Sequence, residues 1–484
     1  MENEFDIIVI GAGVVGCAIA RELSRFNSKI AVIEKDLDVA SGASGRNSGV
    51  VHAGFNNPSG SLKAKYCVEG NALFEGICLE LDVPYKKTGK LVVAQDETDL
   101  KGLENLKNIG AKNNVPDLHI VDKNEINKLE PEVAGIAALF SGSTAITNPF
   151  LLTVALAENA VRNGVRFFFD SEVKRISRAK GKFRIRAGEN SFSSDCVINS
   201  AGIYSDKIAA MAGVRGFKLY PCRGQYHILD KKTFAWLKRP VYTVPRPGSP
   251  SLGVHLSPTV EGNVLIGPSG EYVGRKFDHS TTKGVMEMLT AEARELWPIF
   301  SPRYIIRSYS GIRPKLTSPN QGGSGDFIIE EAQTIPGLIN LIGIESPGLT
   351  SAIPIARRIV EIVNARFRPE KNREFVAERK GTVRFSETSP ADRAALIGKN
   401  PDFGEIICRC EKVSRKEILE AANNVLGVRT LTGIKYRARC LTGRCQGGYC
   451  LTRIVDILTN ELKVPIEKIS TRGKRSTLFT GKTK

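Results

Sequence analysis

Two groups of residues at opposite ends of this 484-residue sequence have the types and spacing that redox chemistry requires. Near the N-terminus, an apolar run over residues 5–10 leads into Gly-Ala-Gly-Val-Val-Gly, the spacing of a dinucleotide-binding turn. Near the C-terminus, four cysteines form two close pairs between residues 408 and 450, as in iron–sulfur and zinc sites. A flavin or nicotinamide accepts two electrons as a hydride, whereas an iron–sulfur centre takes them singly. The sequence therefore predicts two redox centres in one chain.

The three glycines of the first group have separate mechanical roles. Gly11 allows the tight turn after the strand, Gly13 lets a phosphate approach the backbone, and Gly16 lets the next helix pack on the strand. We expect that helix over residues 17–26. Its N-terminal amides and the positive end of its dipole would then face a pyrophosphate.

The residues that follow distinguish FAD from NAD. A second predicted strand over residues 29–33 ends in Glu34, whose carboxylate is spaced to accept hydrogen bonds from an adenosine ribose. A Gly- and Ser-rich loop over residues 41–49 comes soon afterwards, and a simple NAD domain has no use for it. We therefore predict FAD as the cofactor.

That loop, with the segments 196–205 and 341–350, resembles the flavin-binding motifs of the D-amino-acid oxidase-like, glutathione-reductase-type FAD superfamily. The resemblance covers residues 1 to about 365. It implies an α/β (α+β) fold, in which a Rossmann-type FAD domain carries an inserted, mostly antiparallel substrate sheet. It also implies a helix N-terminus after residue 350 that stabilises reduced flavin. Besides the glycines and Glu34, the cofactor contacts that we infer are Val15, Lys35, Ser44, Arg46, Asn47, Ser48, Val173, Ala201, Gly202, Gly343, Gly348, Leu349 and Thr350.

Three residues on the predicted substrate side are suited to oxidising a CH–OH group. His52 follows the flavin loop directly, and His255 alternates with apolar residues in a predicted strand over 251–256. We expect one of them to take the hydroxyl proton, because imidazole titrates near neutral pH. Arg313, at the end of a predicted strand over 304–311, would hold an anionic group of the substrate through its planar fork.

Each of these residues also has another interpretation. An isolated histidine such as His255 is often a hydrogen-bonded structural residue, and His52 could lie against the flavin ring or be its covalent attachment point. Arg313 could belong to a structural ion pair, and Arg223 is a second candidate for binding an anion. The sequence leaves these alternatives open.

Two subfamilies resemble different parts of the chain. Residues 45–54, 58–64 and 253–255 resemble L-2-hydroxyglutarate dehydrogenases or oxidases, whereas the C-terminal unit resembles that of anaerobic glycerol-3-phosphate dehydrogenase catalytic subunits. Where the second group carries a Gly-Gly-Lys-like turn, this chain has Glu345, so a lysine suited to phosphate is missing and an acidic residue is near. The expected substrate is a small anion, either glycerol 3-phosphate or an L-2-hydroxy acid such as 2-hydroxyglutarate.

The C-terminal cysteines follow the pattern Cys408-X-Cys410 and Cys445-X4-Cys450. On spacing alone, one [2Fe–2S] cluster and one tetrahedral zinc ion are equally well satisfied by four thiolates. The unit resembles the bacterioferritin-associated-ferredoxin-like [2Fe–2S] module, and its attachment to a flavoprotein favours the cluster. Cys440 could replace one ligand, but we prefer Cys445 and Cys450 because they keep a Gln-Gly-Gly turn between them.

The domain boundaries follow from these motifs and from the polar stretches between them. We predict an FAD-dependent oxidoreductase domain over 1–368, a polar linker over 369–400, a [2Fe–2S] domain over 401–462 and a basic tail over 463–484. In the first domain, FAD would be bound by segments at about 1–85, 145–215 and 325–368, and the substrate sheet would comprise about 86–144 and 216–324. In the cluster domain, a capping box at 414–417 predicts a helix over 418–425, and a second helix runs from 449 to about 462.

The composition limits the classes of partner and the cellular location that we expect for the chain. The formal net charge is +18, but Lys and Arg are dispersed and form no basic helix or aromatic-interleaved patch, so no nucleic-acid partner is expected. The basic tail is predicted to be solvated or to contact another subunit. No apolar run reaches the roughly 18 residues of a transmembrane segment, and the cysteine pattern favours a reducing compartment. We predict a cytoplasmic protein, with peripheral association at a membrane surface left open.

The combined prediction is an FAD-dependent dehydrogenase acting on CH–OH, with electrons passing from FAD through the [2Fe–2S] cluster to a partner subunit or carrier in a hetero-oligomer. Two alternatives remain open. One is CH–NH oxidation of the opine, proline or sarcosine dehydrogenase type. The other is a non-catalytic electron-transfer subunit of a flavoprotein complex.

Overall fold

The computed structural model describes residues 3–245, 253–323 and 325–481. The strands are β1 (Asn3–Ile10), β2 (Ile30–Ile33), β3 (Val50–Val51), β4 (Tyr85–Lys87), β5 (Lys90–Ala94), β6 (Leu118–Asp122), β7 (Ala137–Ser141), β8 (Ala145–Thr147), β9 (Arg166–Phe168), β10 (Val173–Ala179), β11 (Lys182–Ala187), β12 (Asn190–Asn199), β13 (Tyr220–Leu229), β14 (Val241–Thr243), β15 (His255–Pro258), β16 (Val264–Gly267), β17 (Glu271–Tyr272), β18 (Ile305–Lys315), β19 (Ile328–Glu331), β20 (Leu338–Ile342), β21 (Ile406–Cys408) and β22 (Val413–Ser414). The α-helices are α1 (Val14–Leu23), α2 (Leu62–Glu80), α3 (Glu97–Lys112), α4 (Lys123–Leu129), α5 (Pro149–Arg162), α6 (Ser205–Met211), α7 (Lys283–Leu296), α8 (Ala352–Phe367), α9 (Pro390–Lys399), α10 (Arg415–Ala422), α11 (Leu431–Ala438) and α12 (Cys450–Asp456).

The first sheet has eight strands and is parallel at its centre. Its order is β10-β11-β12-β1-β2-β9, with β20 added on β12 and β19 on β20. Strand β1 pairs in parallel with both β2 and β12. Because central parallel strands are covered on both faces, their residues form continuous apolar runs. Helices α1, α5 and α8 bury their apolar faces in one core with this sheet. The predicted α/β fold is thereby confirmed.

The second sheet has nine strands, in the order β17-β13-β16-β15-β14-β5-β7-β6, and β18 pairs with β13. Only the β14–β5 pair is parallel among the pairs described, so the predicted mostly antiparallel sheet is present. Helix α7 packs on it in a separate core. Two predicted strands have different bounds. The strand predicted at 251–256 starts at His255 and continues to Pro258, and residues 251 and 252 lie outside the described residues. The strand predicted at 304–311 continues to Lys315, so Arg313 lies within β18 and not at its end.

The C-terminal unit contains β21, β22, α10, α11 and α12 around its own apolar core. The capping box is present, since Ser414 accepts from the Glu417 amide and the Glu417 carboxylate accepts from Ser414. Helix α10 begins at Arg415 and ends at Ala422, three residues before the predicted end. The next predicted helix is shorter, because α12 gives way to a π-helical turn over Ile457–Glu461. Helix α11 was not predicted.

The segment predicted as a linker runs along the surface of the first domain. The Asn372 amide donates to the Arg25 carbonyl at 2.8 Å, and Arg379 pairs with Glu158 of α5 at 2.6 Å. Further along, Ser389 caps α9 through the amide of Asp392. The segment is therefore held in place before it enters the C-terminal unit. Within the described parts of the chain, no helix is both long and apolar enough to cross a membrane.

Candidate functional site

The glycine-rich turn between β1 and α1 leaves no room for side chains. Gly11 has φ +107°, and a Cβ atom there would lie 2.6 Å from the Ser200 carbonyl oxygen. A Cβ on Gly16 would lie 2.0 Å from the Gly11 carbonyl oxygen, because α1 packs directly against the turn. Both positions are therefore open only to glycine, as the predicted roles require.

Glu34 ends β2 beside this turn. Its carboxylate accepts hydrogen bonds from the amides of Ala12 at 2.8 Å and Asp36 at 2.9 Å. Burial raises its pKa, and the nearby charge of Asp36 adds to this effect. The second loop closes over the start of α1, where the hydroxyl of Ser44 accepts from the Val14 amide at 2.9 Å. The two loops thus form one wall.

This wall belongs to a cavity of about 1170 Å³ that runs from Glu34 to the second sheet. Most of the predicted cofactor contacts line it, namely Gly11, Gly13, Val15, Glu34, Lys35, Ser44, Arg46, Asn47, Ser48, Val173, Ala201, Gly202, Gly348 and Leu349. Three others do not. Gly16 packs α1 on the turn, Gly343 lies against Leu316, and Thr350 accepts a hydrogen bond from the His52 amide at 3.0 Å. Gly343 and Thr350 therefore lie behind the residues that line the cavity.

Both predicted histidines line the far end of the cavity. The ring of His255 stacks on Tyr242, with 3.8 Å between centroids and 6° between planes. Its Nδ1 lies 3.3 Å from the Gly253 carbonyl oxygen, whereas Nε2 is buried and has no hydrogen-bond partner among the described residues. If Nδ1–H donates to that carbonyl, Nε2 presents a lone pair to the cavity. A buried acceptor without a partner fits a site that receives a polar substrate.

A buried lysine that the sequence gave no reason to single out lies behind these histidines. Nζ of Lys90 lies 4.0 Å from the centroid of the Tyr242 ring and 4.5 Å from that of Phe55. Burial lowers the pKa of Lys90 to about 7. Burial, with a smaller contribution from Lys90, lowers the pKa of His52 to about 3 and that of His255 well below its usual range. Both imidazoles are therefore neutral at physiological pH.

The two candidate arginines have different surroundings. Arg223 pairs with Glu271 and with Asp278, the latter at 2.9 Å, so its charge is already compensated. Arg313 donates to the Ser269 carbonyl at 3.2 Å and lies 3.8 Å from the Cys222 sulfur. It forms no ion pair within the described ranges, and it lines the cavity. Of the two, only Arg313 has a guanidinium available to an incoming anion.

Glu345, which counted against a phosphate substrate, is neutralised by two lysines. Its carboxylate pairs with Lys63 at 2.9 Å and Lys315 at 3.5 Å, and all three side chains are buried. Lys315 also lines the cavity. The charges of this trio sum to a net positive one, so the turn at 343–348 does not repel an anion. The turn itself has no lysine, but Lys315 of β18 lies beside Glu345. The two residues are far apart in the sequence, so their contact could not be predicted from spacing.

The C-terminal cysteines come together as two pairs of thiols. Sγ of Cys410 lies 3.6 Å from Sγ of Cys445, and both are exposed. Cys408 and Cys450 are buried, and a hydrogen bond from Cys408 lowers the pKa of Cys450. Backbone amides, chiefly that of Tyr449, lower the pKa of Cys445. Cys440 is wholly buried beside the second pair, where burial raises the pKa of its thiol.

This arrangement suits a binuclear cluster. A [2Fe–2S] cluster takes two thiolates on each iron, whereas a zinc ion needs four donors around one point. The four cysteines Cys408, Cys410, Cys445 and Cys450 would hold the cluster, which would supply a one-electron carrier.

A buried ion pair joins the cluster unit to the nucleotide-binding domain. Arg437 of α11 contacts the Asp38 carboxylate through two hydrogen bonds of 2.6 and 2.8 Å. Beside them, the rings of Phe150 and Tyr436 lie 4.9 Å apart. Burial is nearly complete, with Asp38 6% and Arg437 8% exposed. The partners are far apart in the chain, so spacing could not predict this contact.

Comparison with known proteins agrees with this architecture. The family model "FAD dependent oxidoreductase" matches residues 6–362, and the model "BFD-like [2Fe-2S] binding domain" matches residues 406–460. The chain therefore belongs to the family of FAD-dependent oxidoreductases that includes D-amino-acid oxidase, and it carries a [2Fe–2S]-binding domain. FAD and the [2Fe–2S] cluster, the two cofactors predicted from the sequence, are confirmed.

Within this family, the chain is similar to proteins that act on two hydroxylated anions. It is 38% identical to a glycerol 3-phosphate dehydrogenase of Caloramator mitchellensis, over 99% of each chain. It is 33% identical to the mitochondrial L-2-hydroxyglutarate dehydrogenase of Arabidopsis thaliana, over 74% of this chain and 83% of that protein. The FAD-bound L-α-glycerophosphate oxidase of Mycoplasma pneumoniae superposes with a TM-score of 0.73 at 32% identity, covering 78% of this chain and 98% of the oxidase.

Proposed function

We propose that this FAD-dependent oxidoreductase is a dehydrogenase that oxidises the secondary alcohol of glycerol 3-phosphate. The observation that carries the proposal is one cavity that presents two neutral histidines and an arginine that pairs with no carboxylate in the described ranges. Similarity to a glycerol 3-phosphate dehydrogenase along the whole chain supports this substrate over other anions.

In this proposal, Arg313 binds the phosphate group of the substrate. Its planar fork can donate two parallel hydrogen bonds to phosphate oxygens. Lys315, two residues further along β18, adds positive charge to the same wall. An anion held there has its carbon skeleton directed along the cavity, toward the histidines.

His52 or His255 takes the proton from the substrate hydroxyl. A neutral imidazole is required, and burial of both rings keeps them in that form. Nε2 of His255 has no partner in the part of the chain that the structure describes and can accept a proton, while the backbone of His52 is fixed by Thr350. FAD, when bound, supplies the hydride acceptor, and the [2Fe–2S] cluster supplies a one-electron carrier.

An L-2-hydroxy acid is the second candidate substrate. Its carboxylate would suit Arg313 as well as a phosphate does, and the 33% identity to an L-2-hydroxyglutarate dehydrogenase supports it. That relative matches 74% of the chain, whereas the glycerol 3-phosphate dehydrogenase matches 99% of it, so we rank glycerol 3-phosphate first.

We also propose a redox partner subunit or carrier that docks beside the cluster. Cys410 and Cys445 are exposed, so this edge of the cluster domain is open to a partner. A cytoplasmic location fits the ten unpaired thiols, because a reducing compartment keeps them free.

Anaerobic reduction of the bound flavin tests the substrate. We expect bleaching of the flavin absorbance by glycerol 3-phosphate, and weaker or no bleaching by L-2-hydroxyglutarate and L-proline. Arg313→Ala should raise KM at least tenfold, and Arg313→Lys should recover part of that loss because the charge is retained. Bleaching by L-proline alone would replace the proposal with CH–NH oxidation. If flavin reduction in Arg313→Ala has the same KM as in the parent protein, Arg313 does not bind the substrate.

A further inference from the structure

The segment after the cluster domain, predicted as a solvated tail or subunit contact, folds back on the chain itself. Residues 469–478 form a hairpin in which Ser470 and Thr477 pair as an antiparallel bridge. The Thr471 amide donates to the Ser476 carbonyl at 2.8 Å, and the Gly473 amide donates to the Ser476 hydroxyl at 2.8 Å. The last residues of the predicted tail, 482–484, lie outside the described residues.

The base of this hairpin is fixed to the cluster domain. The first amides of α11, those of Leu431 and Thr432, donate to the carbonyls of Ser470 and Thr471 at 3.0 and 2.8 Å. Ile469 is 1% exposed and belongs to the apolar core of that domain. The position of the hairpin is therefore determined by the folded cluster domain.

The tip of the hairpin reaches the flavin cavity. Nη2 of Arg472 donates to the Ser41 carbonyl at 2.6 Å, and Arg472 lines the cavity together with Glu34 and Asp36. Arg472 forms no ion pair among the residues described, although Asp36 and Asp38 are close enough to interact with its charge. On the outer side, Lys474 pairs with Asp170 and holds the tip against the first domain.

We propose that Arg472 is a binding residue for the ADP half of FAD, supplied to the flavin domain by the hairpin of the cluster domain. Glu34, on the same wall, is the residue that the turn motif assigns to the adenosine ribose. A guanidinium at this end has donors for the oxygens of the ribose and of the diphosphate, and its charge complements the diphosphate.

Residue 472 lies outside both regions that match known families, which span 6–362 and 406–460. An oxidoreductase without the cluster domain has no residue from this hairpin. In this chain, retention of FAD would depend on the folded cluster domain, so the two cofactor sites are coupled. This inference rests on the FAD site and not on the identity of the substrate.

The test is the affinity of the full-length, flavin-free protein for FAD, followed by quenching of flavin fluorescence. Arg472→Ala should raise the Kd for FAD about tenfold, as expected when a charge-assisted contact is lost, and Arg472→Lys should give an intermediate Kd. ADP, measured as a competitor of FAD, should lose affinity by the same factor. Lys468→Ala, an exposed lysine on the same segment, is the matched control and should bind FAD like the parent.

The visible spectrum of the cluster and the far-UV circular dichroism establish that each variant is folded. A folded Arg472→Ala protein with a Kd within twofold of the parent would overturn the proposal. So would weaker binding of FAD with unchanged binding of ADP, because the contact would then lie outside the ADP half. If Arg472→Ala does not fold, Arg472→Lys decides between these outcomes. No substrate is used, so failure here leaves the proposed reaction untouched.

Discussion

Replacing Lys90 by methionine would show how the protein sets the basicity of its cavity histidines. Nζ of Lys90 lies 4.0 Å from the centroid of the Tyr242 ring, and that ring stacks on His255 at 3.8 Å. These two steps place the ammonium within about 7.8 Å of the imidazole. Burial lowers the pKa of Lys90 to about 7, so its charge is present only below neutral pH.

The size of the effect follows from that distance. At an effective dielectric constant of about 20, unit charges about 7.8 Å apart repel by roughly 2 kcal/mol, which is about 1.5 pKa units. The charge of Lys90 opposes protonation of His255 and His52, and its removal should raise the pKa of both. Because the proton acceptor must be neutral, the acid limb of the reaction should move to higher pH, by about 1.5 units if His255 is the base. Above about pH 8 the two profiles should coincide, since Lys90 is then uncharged in the parent.

The assay is the rate of anaerobic flavin reduction by saturating glycerol 3-phosphate, measured from about pH 3 to 9 so that it includes the acid limb of a histidine with a pKa of about 3. Methionine fills the space among aromatic rings, so the variant should fold. Lys87→Met, an exposed lysine on β4, is the matched control and should leave the profile unchanged. Lys90→Arg keeps the charge and should keep the acid limb low. If the profiles of Lys90→Met and the parent coincide between about pH 3 and 5, where the shifted acid limb is expected, the electrostatic reasoning is refuted.

Two further predictions concern the cluster domain. Asp38→Ala leaves Arg437 buried without its carboxylate, so urea denaturation should show a loss of about 3–5 kcal/mol. Arg444→Ala, which removes an exposed arginine that pairs with Asp230, should cost much less, and equal losses would mean that the buried pair has no special role. Cys440→Ser should keep two irons per chain by elemental analysis, whereas Cys445→Ser should lose them, and the reverse result would make Cys440 the ligand.

The nucleotide-binding turn could be predicted because its parts are local. Gly11, Gly16 and Glu34 lie within one strand–turn–helix–strand unit, and each is required by a backbone approach or a charge that the unit itself creates. The four cysteines could be predicted as a set from their spacing, but not their pairing. The structure places Cys410 beside Cys445 and Cys408 beside Cys450, so each pair is formed by residues far apart in the sequence. Residue type and spacing were sufficient for the turn alone.

The substrate end could be predicted only as a set of candidates. Arg223 lies on β13 and Arg313 on β18. These two strands pair with each other, and Arg313 lies opposite Cys222 in their register. What separates them is that Glu271 and Asp278 reach Arg223, a contact made by a different strand and loop. Lys90 is similar. It begins an ordinary apolar strand, and only the packing of the second sheet places it beneath two histidines.

Three cations of the C-terminal part form ion pairs with carboxylates of the first domain. Arg437 pairs with Asp38, Arg444 with Asp230 and Lys474 with Asp170, and in each pair the cation belongs to the C-terminal part and the carboxylate to the first domain. Of these three cations, only Lys474 belongs to the tail over 463–484 that was predicted to be solvated or to contact another subunit, and it contacts the first domain of the same chain. Because the Arg437–Asp38 pair is buried and is made by two hydrogen bonds, it favours one orientation of the cluster domain on the first domain. The hairpin carrying Arg472 extends the same principle into the cavity, where the complementary charge would be the diphosphate of FAD.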